Sequence, residues 1–186
     1  VMVVLVALLL GWPLVLLPTQ ILWLNLVTEG VQNLGLALEP GEPDTLHRPP
    51  RPAAEGIMSR VLWERTLLAG VVAAAGTLAV FHWELMATGS ETTARTMALT
   101  TLVLFEAFQV ANARSETRSL FRTSPWSNPP LFGLTGLALL LHVLALYVDP
   151  LQAMLRLEPL TLEAWGRMVL VASLILAAME LHKLAH

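Results

Sequence analysis

An all-α bundle of membrane-spanning helices is the fold class this sequence predicts, and three features predict it. Hydrophobic residues make up 55% of the chain and charged residues only 13%, whereas a soluble domain carries roughly 25% charged residues. The mean hydropathy of +0.65 agrees. The apolar residues gather in long runs, close to the roughly 20 residues that a helix needs to cross a hydrocarbon core of about 30 Å. Prolines and most charges fall between those runs. A net charge of −3 supplies no basic field for a nucleic-acid partner. The chain has no cysteine, which rules out disulfides and thiolate metal sites.

About six spans follow in order, the first truncated. Residues 1–11 as a helix would cover only about 17 Å at 1.5 Å per residue. "GWP" at 11–13 and then Pro18 break the run, because proline removes a backbone donor and clashes with the preceding turn. This stretch has neither the basic start nor the small-residue cleavage site of a signal peptide. It reads as the remainder of a span, so the chain is expected to be the C-terminal piece of a longer one. Residues 19–38 form the second span, 66–83 the third, 94–113 the fourth, 130–148 the fifth and 164–181 the sixth. The prolines of "EPGEPDTLHRPPRPAAEG" at 39–56 cannot continue a helix and its charges keep it in water. "SRVLWER" at 59–65 reads as an amphipathic lead-in to the third span, 87–93 as a tight turn, and 113–130 and 149–161 as longer connections.

Lysine and arginine set the orientation. Arg48, Arg51, Arg60, Arg65, Arg114, Arg118, Arg122 and Lys183 fall on one side, and Arg95, Arg156 and Arg167 on the other. The side richer in positive charge faces the cytoplasm, which places the C-terminus there too. Trp12, Trp23, Trp83, Trp126 and Trp165 lie near span ends, where indole suits the headgroup layer.

The second and fourth spans carry the candidate chemistry. "LWLNLVTEGVQNLGLAL" at 22–38 holds Asn25, Thr28 and Glu29 within an apolar run. A carboxylate at a span centre costs about 2.5–3.5 kcal/mol on insertion scales, and such groups mark ion or substrate paths. Spacings of three and four put Asn25, Thr28 and Glu29 on one helical face, and Gln109 on the same side as Glu106. Carboxylate, amide and hydroxyl oxygens suit a hard cation such as calcium, which takes six to eight of them. Amides and hydroxyls alone would read as glue between helices; two carboxylates turn the reading toward a cation site in the bundle interior. A gradient-driven transporter using Glu29 and Glu106 as a proton or cation relay is a second reading, although it predicts an internal repeat that the sequence lacks. A non-transporting scaffold is a third. His142 is expected to hydrogen-bond across helices, and Gly70, Ala74 and Gly76 to allow close helix packing.

Four blocks in order carry a resemblance: "LLPTQILWLNLVTEG", "HRPPRP", "RTMALTTLVLFEAFQVANARSETRSLF" and "LHVLALYVDPLQ". Together they resemble the C-terminal membrane region of the P-type cation-transporting ATPases, similar to the sarco/endoplasmic reticulum calcium pump and its bacterial relatives. The resemblance implies that residues 1–11 are the later part of the family's fifth helix and the complete spans are helices six to ten. It implies that Asn25, Thr28, Glu29 and Glu106 bind the transported cation, calcium first, with Gln109 standing where the family has asparagine. Glu29 is one methylene longer than the family's aspartate, and Gln32 and Asn33 replace apolar residues. Further ligands are implied from helices upstream of Val1. The 39–56 loop, with Glu42, Asp44, Arg48 and Arg51, resembles the cytoplasmic loop that couples cation occupancy to phosphorylation. The implied partners are the lipid bilayer, the N-terminal membrane helices, and the actuator, phosphorylation and nucleotide domains of the same full-length chain. The Asp-Lys-Thr-Gly-Thr phosphorylation sequence and the P-loop are absent here. ATP and magnesium are therefore expected to act only in the full-length protein, and this portion alone is not expected to be catalytic. The implied setting is a multi-pass protein of a bacterial plasma membrane.

Overall fold

Proline and glycine place the first helix boundaries. The computed structural model describes residues 1–40, 60–114 and 127–185. Helix α1 (Met2–Leu9) ends just before Gly11, whose φ of +68° is cheap only without a Cβ. Pro18 opens α2 (Pro18–Trp23) at a first-turn position, where its missing N–H costs nothing. A π-helical segment, Leu24–Glu29, continues α2 directly into α3 (Gly30–Ala37). The expected second span is thus one rod in three parts.

The later spans are single helices: α4 (Arg60–Thr88), α5 (Glu91–Ala113), α6 (Pro129–Tyr147) and α8 (Leu162–Ala185). Each is long and apolar enough to cross a membrane. The segment from Arg60 is not a separate lead-in; it forms the first turns of α4, which at 29 residues overshoots the hydrocarbon core. The turn expected at 87–93 tightens to Gly89, at φ +69°, and Ser90, whose Oγ accepts from Thr93 N at 3.2 Å to cap α5. The 149–161 connection holds a further helix, α7 (Asp149–Leu155), begun by Pro150 in its first turn and ended by Arg156 in the left-handed region. Sequence patterning missed it because its seven residues are too few to show a period. The proline-rich loop, including Glu42, Asp44, Arg48 and Arg51, lies outside the described residues, as does Trp126.

Helix α5 is the central rod, packed against α4, α8, α6 and the rod of α2 and α3. Its most apolar stretch is 56% buried, against 22–28% for the other three long helices. That burial by protein explains why α5 tolerates so many polar residues. Thr96, Thr100 and Thr101 each donate to the carbonyl four residues earlier, at 2.7–2.9 Å, which satisfies their hydroxyls inside the helix. His142 bonds across helices as expected, with Nε2 3.0 Å from Thr100 Oγ1. Small residues set the closest approaches. A Cβ on Gly76 would lie 2.7 Å from the Phe105 ring, and one on Gly35 would lie 2.8 Å from Leu131 Cα.

One end of the bundle is tied by a polar clasp. Glu39, just past α3, accepts from Arg114 Nε at 3.0 Å and from Asn128 Nδ2 at 2.7 Å. Arg114 also donates to Ser127 and stacks 5.4 Å from the Phe132 ring centre. Asn128 Oδ1 accepts from Leu131 N at 3.1 Å as the N-cap of α6, and its amide reaches Gly35 O at 3.0 Å. This clasp fixes where α3 stands against α5 and α6, and so positions the site one to three turns away.

Candidate functional site

The site begins with a backbone irregularity. Between Leu24 and Glu29 the helix widens to i→i+5 hydrogen bonding, with Gly30 N bonded to Asn25 O. Such π-bulges re-aim side chains and occur frequently at functional sites. Thr28, fully buried, sits on the inner side of this segment. Its hydroxyl lies 2.7 Å from Leu24 O and 2.5 Å from Glu106 Oε2 on α5. A threonine hydroxyl has one proton, so it can satisfy only one of these two acceptors at a time. Three oxygens from two helices converge here with a shortage of donors.

Two cavities meet at this point. The first, about 430 Å³, is lined by Glu29, Gln32, Asn33, Glu106 and Gln109, with Leu36, Ala69 and Ala113 marking its extension toward the clasped end. The second, about 500 Å³, is lined by Asn25, Glu29 and Glu106, with Leu5, Leu16 and Ile21 marking its extension the other way. Glu29 and Glu106 line both. Among the described residues no lysine, arginine or histidine lines either cavity, and Glu29 and Glu106 form no ion pair. Two carboxylates share a space with no fixed positive charge to balance them.

Of the five residues singled out from the sequence, Thr28, Glu29 and Glu106 lie where the cavities adjoin, and Asn25 and Gln109 line one cavity each. Thr28 contacts Glu106, Asn25 faces one cavity, Gln109 the other, and Glu29 and Glu106 both. Asn25 and Glu29 are exposed among the described residues, whereas Thr28 between them is fully buried. Among the described residues no three or more His, Cys, Asp or Glu side chains cluster as metal ligands; these residues offer two carboxylates plus neutral oxygens.

Sequence reasoning missed two parts. The Leu24 carbonyl enters the site through the π-helical turn, and a threonine four residues after it was the available signal. The clasp of Glu39, Arg114 and Asn128 was also missed, although "SNPP" at 127–130 carries the N-cap asparagine and first-turn proline of a helix start.

Residues 13–185 match the family described as cation transporting ATPase, C-terminus, over nearly the whole chain. The chain belongs to that family. The helices described above are the membrane part of a P-type cation-transporting ATPase, an integral membrane protein. A domain of this kind works with other domains of the same chain, set in a membrane. Membership in the cation-transporting ATPases supports the pump reading and lends nothing to the gradient-driven or scaffold ones.

Proposed function

We propose that this chain is the cation-binding and translocating membrane half of an ATP-driven P-type pump, and that Glu29 and Glu106 hold the ion in transit. The observation that carries the reading is the pair of carboxylates on walls shared by two cavities that no basic residue lines. Carboxylates among apolar helices are stable when paired with a cation, and the ordinary partner, a lysine or arginine, is not on those walls. A transported cation supplies the missing charge. Thr28 and Asn25 add neutral oxygens beside the carboxylates, and Gln109 adds one three residues further along α5. Calcium is the cation such an oxygen set fits best, since it accepts carboxylate, amide and carbonyl ligands in irregular numbers.

The two cavities support an alternating mechanism. One extends from the carboxylates toward the clasped end and the other away from it, so an ion at Glu29 and Glu106 has a route to either side. We place the clasped end and the C-terminus in the cytoplasm, on the distribution of arginine and lysine, with a bacterial plasma membrane as the setting. The open faces of Asn25 and Glu29 would be covered by N-terminal membrane helices carrying further ligands. ATP and magnesium would act at an aspartate in the phosphorylation domain of the full-length chain. Occupancy can drive that step only by binding one conformational state more tightly than the other. The loop bearing Glu42, Asp44, Arg48 and Arg51 is proposed to transmit it.

The test is phosphorylation of the full-length protein from ATP, with calcium, manganese, sodium and potassium each titrated alone. Glu29→Gln and Glu106→Gln are expected to raise the activating cation concentration by about tenfold or more. Wild-type activation in both variants removes the site. Arg48→Ala with Arg51→Ala is expected to slow phosphorylation while equilibrium cation binding stays unchanged; equal loss of both would contradict a coupling role for the loop.

A further inference from the structure

The cavity on the clasped side of Glu106 has a feature that the carboxylate site leaves unexplained. Gln32 is 1% exposed, yet neither its amide nitrogen nor its amide oxygen has a hydrogen-bond partner. Gln109 Oε1 is likewise buried and unbonded. Both line the same cavity of about 430 Å³. An unbonded buried amide costs about 1–3 kcal/mol per group, so two of them facing one void point to a polar occupant.

Their spacing is regular. Gln32 follows Thr28 by four residues on one rod, and Gln109 follows Glu106 by three on α5. Both rods run in the same direction, toward the clasp that joins their ends through Glu39 and Arg114. Since Thr28 touches Glu106, the next turn along, about 5–6 Å away at 1.5 Å per residue, brings Gln32 and Gln109 to opposite walls of the same gap. Asn33, adjacent to Gln32, lines it too.

From this we infer a second cation station, built from the amide oxygens of Gln32 and Gln109 with Asn33, one helical turn from the carboxylates on the clasped side. The inference rests on the pump reading proposed above. Neutral amide oxygens replace part of a hard cation's water shell without adding charge, so the station holds an ion that keeps some of its water. The void has room for this, since a water molecule occupies about 30 Å³. An ion paused there is attracted by Glu29 and Glu106 one turn further on. The station thereby sets which cations reach the carboxylates, favouring those that exchange water for amide oxygen readily.

The test uses thermal unfolding of the full-length protein, with calcium, manganese, magnesium, sodium and potassium each titrated alone. A cation that binds the folded state raises Tm in proportion to its affinity. Gln32→Leu and Gln109→Leu are each expected to weaken the stabilising cation by about tenfold, while Tm without cation stays the same or rises because unbonded amides are gone. Gln32→Glu, which keeps the shape and adds charge, is expected to tighten divalent binding. Affinity within twofold of wild type in both leucine variants, alongside clear loss in Glu106→Gln, overturns the station and leaves the carboxylate site standing. A lower cation-free Tm in the leucine variants with cation affinity unchanged assigns the amides to packing or to bridging water, and also overturns it. Absence of stabilisation by all five cations, or stabilisation indifferent to Glu106→Gln, overturns the carboxylate site itself and the station with it.

Discussion

Glu29 and Glu39 stand ten residues apart, one in the π-helical segment and one just past α3, and their surroundings are opposite. Glu39 is met by Arg114, whose side chain is 1% exposed, and by the Asn128 amide. Glu29 faces two cavities and another carboxylate. At the clasp, a carboxylate is met by a guanidinium and an amide, and the Asn128 side chain uses both its oxygen and its nitrogen. At the site, acceptors outnumber donors and buried amide atoms are left unbonded. The same residue types thus serve two ends: one set holds helices in place, and the other is the set proposed to hold the ion.

The largest test of that contrast strikes the clasp. Arg114→Met leaves Glu39 without its cation, and removing one partner of a buried pair costs about 3–5 kcal/mol. The expected outcome is a sharp fall in Tm or in folded yield, with cation affinity of the folded remainder unchanged; unchanged stability would break the comparison. At the site the signs reverse. Glu106→Gln is expected to weaken cation binding about ten- to hundredfold while cation-free Tm holds or rises, because a half-buried charge with no cationic partner is removed. A large drop in cation-free Tm would show Glu106 to be structural after all.

Gly35 lies between the two regions, and its contact with α6 tests how tightly one is registered against the other. A Cβ there meets the Leu131 backbone, so Gly35→Ala is expected to destabilise by about 1–3 kcal/mol. Gly133→Ala, on the same helix pair but with open space around it, is the matched control and is expected to be tolerated far better. The smallest effect is at Thr28, which belongs to both sorts of interaction. Thr28→Val removes one hydrogen bond, worth about 1 kcal/mol, and weakens cation affinity severalfold; Thr28→Ser is expected to retain it. Loss in Thr28→Ser with wild-type affinity in Thr28→Val would mean that the methyl group, not the hydroxyl, matters.

Much of this was legible beforehand, for a physical reason. Span positions follow from apolar run length, and Pro18, Gly89 and Pro129 mark boundaries by backbone chemistry that does not depend on tertiary context. Glu29 and Glu106 stood out because an acid within an apolar run is costly wherever the helix packs. What stayed hidden depends on which helices touch. The pairing of Glu39 with Arg114 spans 75 residues, and periodicity says nothing about contacts at that separation. The π-helical turn was hidden as well, since "LNLVTE" has no proline or internal glycine to announce it. Exposure of Asn25 and Glu29 could not be read from an amphipathic pattern either, because lipid-facing and protein-facing sides of a membrane helix are both apolar.

The central claim is that Glu29 and Glu106 hold the same ion, and a double-mutant cycle measures that directly. The quantity is the equilibrium dissociation constant of the activating cation for the full-length protein, in wild type, Glu29→Gln, Glu106→Gln and the double variant. Ligands of one ion act as a unit, so the double variant is predicted to bind little worse than the weaker single one, with a coupling well above the roughly 0.3–0.5 kcal/mol scatter of independent sites. Losses that simply add, or singles that bind like wild type, would contradict the account.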